Sequence, residues 1–255
     1  MSEFVFPQTC RHQGVKLSAC GQALGGKLLF DQRLGFSGTP SDLLPVELGS
    51  CHYEKGSDAK MLRYLTDPLV TSQEMLPSSW TVKYILDYVT GRSVDGPSPF
   101  HALIDTGALV TGMSNLEVAR YLLEHGLRGI DGVVFLDEED CMMICVRKGY
   151  RVMKVEQSGV PLNRRFAFYD QIHTTGMDIK HRLGAHAALT MSKDMVFRDY
   201  AQGAFRMRGI GVGQTIRTLI IPEVSRLIDG DMKLCGGGSG GGSEVLSNST
   251  SAPVG

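Results

Sequence analysis

From Phe100 onward the chain carries a unit that few folds can accommodate: a short apolar strand, a capped helix, and a second apolar strand. HALIDTGALV reads as a buried strand. Ser114-Asn115-Leu116-Glu117 follows, with Ser114 as N-cap and Glu117 at the third helical position, the pattern of a capping box. The helix this starts places Leu116, Ala119, Leu122 and Leu123 on one face and is expected to stop at Gly126. DGVVFLD then brings four consecutive apolar residues, as a strand covered on both faces requires. Strand, helix and strand in this order predict an α/β domain with a parallel sheet and right-handed crossovers.

Further elements extend the pattern. CMMICVR and YRVMKV flank Lys148-Gly149 and read as a hairpin. RRFAFYD, AHAALTM and TIRTLIIPEV read as three more strands, with a helix from about Asp194 that breaks down in its glycines. The predicted domain therefore spans 100–228. Before it, residues 1–48 read as the remnant of a first α/β lobe, ending in the turn Ser37-Gly38-Thr39-Pro40, and 49–99 as a connector holding one helix around Trp80 to Val89. Residues 229–255, with GGGSGGGS, read as a flexible tail. On this reading the 255-residue chain is expected to be a C-terminal fragment, or a shortened relative, of a larger protein.

With 42% hydrophobic and 21% charged residues the chain can bury a sizeable core, which excludes wholesale disorder. No run approaches the roughly 18 apolar residues of a membrane helix, and MSEFVFPQTC lacks the form of an export signal. The six cysteines show neither a C-x-x-C pair nor regular spacing, so no disulfide framework or metal site is expected. Reduced thiols in the cytoplasm or nucleus fit best.

The net charge of -1 hides an asymmetry. Residues 147–226 hold 14 Lys and Arg against 6 Asp and Glu. Such a stretch predicts a face for anions, whether phosphate, nucleic acid or an acidic partner.

Three short motifs stand in a telling order: Ser37-Gly38-Thr39, then Thr174-Thr175-Gly176-Met177-Asp178, then Gln202-Gly203-Ala204-Phe205-Arg206-Met207-Arg208. The series resembles that of helicase-type motors with two stacked nucleotide-binding lobes. The resemblance implies a RecA-like second lobe preceded by the end of a first. It also implies a nucleotide cleft drawing on Ser37, Gly38, Thr39, Thr175, Gly176, Asp178, Gln202, Arg206 and Arg208. Arg206 is the arginine-finger candidate, stabilising charge on a transferring phosphoryl group, with Gln202 one helical turn before it. Asp178 would link the cleft to the partner side of the lobe, and Arg208 lies one residue off the usual spacing.

A phosphate loop of the form G-x-x-x-x-G-K-S/T is missing, Gly25-Gly26-Lys27 being only a piece of one. Asp137-Glu138 follows a strand as a magnesium-binding pair would, but between the second-lobe motifs, and reads as an acidic loop. ATP and magnesium are thus expected only with a complete first lobe, and no other cofactor is expected.

A longer resemblance runs across Phe30 to Glu223. RLGFSGTPSDLLPVELG, HALIDTGALVTGMSNLEVARYLL, DGVVFLDE, RRFAFYDQIHTTGMDIK and FRDYAQGAFRMRGIGVGQT are similar to the C-terminal region of very large fungal and protist proteins named ubiquitinyl hydrolase or ubiquitin thioesterase. The resemblance implies a thiol-dependent deubiquitinating enzyme with ubiquitin or a ubiquitinated protein as partner. A thiol hydrolase needs a cysteine whose thiolate a histidine favours. Cys51, Cys141 and Cys145 are the thiol candidates, and His101, His173 and His186 the candidate bases. No motif of the family designates any of them: the catalytic residues stay unassigned, with Cys51 and His173 as candidates, and Cys141 and Cys145 read as buried, inert thiols. A motor-like lobe and a non-catalytic lobe binding RNA or a protein partner remain the alternatives.

Overall fold

A computed structural model describes residues 57–91, 98–174 and 177–236. The expected first-lobe remnant, including Ser37, Gly38 and Thr39, lies outside the described residues, as do Cys51, Thr175 and Gly176. In chain order the elements are α1 (Ser57–Thr66), β1 (Thr71–Met75), α2 (Val82–Thr90), β2 (Ala102–Ile104), α3 (Asn115–His125), β3 (Gly132–Leu136), β4 (Met142–Val146), β5 (Arg151–Lys154), β6 (Arg165–Tyr169), β7 (His186–Thr190), α4 (Phe197–Ala204), β8 (Thr215–Ile220) and α5 (Pro222–Gly236). The strands form one mixed, mostly parallel sheet of eight, ordered β1-β8-β7-β2-β6-β3-β4-β5. All pairs from β1 to β3 run parallel, and the β4–β5 hairpin joins antiparallel at the far edge.

The apolar runs are long because both faces of the sheet are covered, so alternate residues serve opposite layers. Val133, Phe135, Phe166 and Phe168 point to the layer of α2, α3 and α5, meeting Ile85, Leu86, Val118, Leu122 and Val224. Their neighbours Val134, Leu136, Ala167 and Tyr169 point to the layer of α1 and α4, meeting Met61, Leu65, Ala201 and Phe205. Each large apolar side chain buried in this way contributes about 1.5–3 kcal/mol.

The capping box of α3 forms as its sequence dictates: Glu117 N donates to Ser114 Oγ at 3.3 Å and Ser114 N to Glu117 Oε2 at 2.7 Å. The helix does end at Gly126, but for a different reason than a left-handed cap. Gly126 is extended, and a Cβ there would sit 2.6 Å from Thr90 Cβ, so the ends of α2 and α3 could not approach. Arg147 closes the same junction, donating to the carbonyls of Leu123, Gly126, Leu127 and Ile130 at 2.6–2.9 Å. One orphan carbonyl of the last helical turn, Leu123 O, and three carbonyls of the loop beyond are satisfied by this one side chain.

Two boundaries differ from expectation. Residues 57–91 are no mere connector: β1 is the edge strand of the same sheet, pairing Thr71 with Ile216 through Met75 with Ile220. Its sequence, TSQEM, is polar because an edge strand is half in solvent, and so it shows no apolar signature. At the other end α5 continues to Gly236, so 229–236 belong to a helix and not to a tail. No helix among the described residues is long and apolar enough to cross a membrane.

Candidate functional site

The topology reverses between β2 and β7. Adjacent and parallel in the sheet, they lead on to helices in opposite layers, β2 to α3 and β7 to α4. In open α/β sheets the loops at such a point part and leave a crevice beyond the carboxyl ends of the strands. Here the crevice measures about 600 Å³ and is lined by Thr106, Gly107, Thr174, Ser192, Lys193 and Gln202, among others.

Its floor is stapled by Asp105, the residue after β2. One carboxylate oxygen accepts from Leu109 N at 2.9 Å and from Thr190 Oγ at 2.6 Å, and the other from Val110 N at 2.9 Å. Gly107 N donates in turn to the Thr190 hydroxyl at 2.9 Å. Burial pushes the Asp105 carboxyl up, against the pull of these hydrogen bonds. At position 107 glycine is required, since a Cβ would stand 2.7 Å from the Met191 carbonyl carbon. Thr106 is buried, and its hydroxyl makes no hydrogen bond among the described residues. It abuts Gly203 of α4, where any Cβ would fall inside its van der Waals envelope.

Of the expected nucleotide-cleft residues, Gln202 lines this crevice. Asp178, Arg206 and Arg208 come together with one another, but as an ion-pair cluster. Arg208 forms a two-pronged pair with Asp178, Nη2 lying 2.6 Å from Oδ2. Arg206, only 8% exposed, reaches Asp178 Oδ1 at 3.0 Å and donates to the Met177 carbonyl. The expected guanidinium open to a cleft is therefore replaced by a buried internal cation. The cause is local: α4 ends at Ala204, and tight turns bond Arg206 N to Gly203 O and Met207 N to Ala204 O, both at 3.0 Å. The line from Gln202 to Arg206 does not continue as one helical face.

Nine of the 14 basic residues in 147–226 are exposed, and the other five are half-buried or buried. Besides Arg147, Arg206 and Arg208, Arg217 donates to Tyr88 Oη at 3.2 Å and lies over the ring of Phe100. The outward anion-facing surface is smaller than the residue count implies.

His173, in the turn after β6, sits between two carboxylates. Nδ1 meets Asp170, and Nε2 lies 2.8 Å from Asp140 Oδ1. Burial works against its charged form, but the bonds to Asp140 and Asp170 outweigh this and raise its pKa above the usual value. His101 and His186 stand at the opposite, amino ends of β2 and β7, where His186 N donates to His101 Nδ1 at 3.2 Å. Cys145 is buried in β4, and burial pushes its thiol up. Cys141 is half-buried beside the acidic turn, where its N–H donates to Asp137 Oδ1 at 2.9 Å. Among the described residues no imidazole is hydrogen-bonded to a cysteine sulfur, and no group of three His, Cys, Asp or Glu is placed to hold a metal ion.

Sequence reasoning missed the Asp105–Thr190 staple and the two carboxylates around His173. Each follows the end of a strand or a turn, and only the strand order reveals which ends are neighbours. Comparison of the chain with family models, with curated proteins and with solved structures finds no match in any of them.

Proposed function

We propose that the chain is a RecA-like lobe of the helicase second-lobe type, whose crevice between β2 and β7 itself binds phosphate and so completes a nucleotide site formed with a first lobe. The observation that carries this reading is the switch-point crevice, with Gly107 close to the backbone after β7 and Gln202 on its wall. Lys193 fits phosphate oxygens by charge and Ser192 and Gln202 by hydrogen bonding, against the carboxylates of Asp194 and Asp199 on the same walls. The nucleotide would supply the phosphoryl group and its leaving group. The chain's own residues would orient it and exclude water. Arg206 is engaged by Asp178, so it holds the loop at 177–178 against α4, and a nucleotide could recruit it only by displacing that carboxylate.

Amide shifts of the isotopically labelled full chain, titrated with ATP, ADP and inorganic phosphate to millimolar levels, test the reading. Gly107, Lys193 and Gln202 should move together, and their movement should be lost in Lys193→Ala. A folded chain in which none of them moves excludes the crevice as a phosphate site.

Deubiquitination is a separate proposal, supported by the resemblance of the sequence strings. Ubiquitin carrying a thiol-reactive C-terminus tests it. An adduct abolished by Cys51→Ser supports it, and absence of any adduct on the full chain removes it for this chain.

A further inference from the structure

We propose that the groove between the start of α3, the β3–β4 turn and the turn after β6 is a docking site for a basic protein segment carrying a bulky apolar side chain. The groove measures about 850 Å³ and is distinct from the switch-point crevice, sharing only Ile172 with it. Its apolar wall is Leu116, Met143, Val152 and Ile172, the last 74% exposed. Its rim is four acidic residues in succession, Asp137, Glu138, Glu139 and Asp140, with Asp170 opposite.

The electrostatics select the occupant. No Lys or Arg lines the groove. The counterparts on the groove wall are the His173 imidazole, held between Asp170 and Asp140 and positive when protonated, and the amino terminus of α3 at Ser114 and Asn115. Asp137 is engaged in the turn, accepting from Glu139 N at 3.0 Å and Cys141 N at 2.9 Å. Glu138 and Glu139 are exposed, and their side chains form no ion pair among the described residues. Like charges crowded this closely repel, and a neighbouring apolar surface in water is unfavourable as well. A segment bearing Lys or Arg next to a Leu- or Phe-sized side chain relieves both at once. An acidic segment, a nucleic acid or an anionic lipid surface would be repelled.

Fluorescence anisotropy of the full chain with a labelled hexapeptide alternating arginine and leucine tests the site, beside an all-lysine and a glutamate–leucine control. The arginine–leucine peptide should bind tightest. The double variant Glu138→Lys/Glu139→Lys should weaken it about tenfold, and Ile172→Ser about fivefold. Both changes are at exposed positions, and circular dichroism checks that the chain remains folded. Equal binding of the all-lysine peptide, or affinity indifferent to both variants, overturns the proposal. So does sedimentation showing a dimer that charge reversal dissociates, since the groove would then hold a second copy of the chain.

Discussion

Asp178 takes a two-pronged hydrogen bond from Arg208 across 30 residues of chain, Nε lying 3.0 Å and Nη2 2.6 Å from Oδ2. Arg208 also lies over the ring of Phe205, 4.2 Å from its centroid. Arg206 shares the same carboxylate from a buried position. Asp178→Ala should therefore destabilise the chain more than Arg208→Ala does, because that one carboxylate serves two guanidinium groups, one of them buried. About 2–3 kcal/mol against about 1 kcal/mol is expected by urea denaturation, Asp178 being half-exposed. Equal losses would mean that Arg206 does not depend on Asp178.

Arg147 gathers four carbonyls from the end of α3 and the loop beyond it. Lysine has neither the fork nor the reach to bond them together. Arg147→Ala should cost about 2–4 kcal/mol, and Arg147→Lys should restore less than half of it. Hydrogen exchange reads the effect locally: the last turn of α3 should lose protection before the sheet does.

Much of this architecture is legible in the sequence for a physical reason. Strands β3, β6 and β7 are covered on both faces and so read as apolar runs, and α3 announces itself by Ser114 and Glu117. Strand β1 is illegible because its position at the sheet edge leaves it polar. The site divides in the same way. Motif spacing groups Asp178 with Arg206, and the two do meet. Whether that guanidinium faces a carboxylate or an open crevice depends on α4 ending at Ala204, which its composition does not fix. The Asp105–Thr190 bond joins residues 85 apart and follows only from the order of the strands.

Gly203 and Thr106 make a pair whose coupling can be measured. A methyl group at 203 would press on the Thr106 hydroxyl, which has no hydrogen bond to lose. Gly203→Ala should destabilise by about 2 kcal/mol, Thr106→Ala alone should change stability little, and the double variant should recover most of the loss. A double-mutant cycle in urea returns the coupling directly. Additive effects would show that the crowding at 203 arises elsewhere.

The histidines predict opposite pH dependences in two windows. His181 and His186 have their pKa values lowered to about 4, by burial first; for His181 this outweighs the opposing pull of Asp178, and for His186 Arg217 and His101 add to it. Held neutral in the fold, they take up protons on unfolding. Their contribution is complete above the ordinary 6.5 and drains as pH falls from there towards 4, by about 1.4 kcal/mol per pH unit for each proton taken up. His173 behaves in the reverse sense. Its pKa is raised, so its stabilisation is complete below 6.5 and is lost as pH climbs through the folded value. Stability should therefore peak near neutrality and fall on both sides. His181→Gln should flatten the acid limb alone, whereas Asp140→Asn, which removes one of the two carboxylates facing His173, should flatten the alkaline limb alone. Urea midpoints between pH 4 and 9, with the His173 ring titration followed by NMR, resolve the two. An alkaline limb unchanged in Asp140→Asn would mean that the carboxylate–imidazole–carboxylate arrangement does not hold the proton in solution.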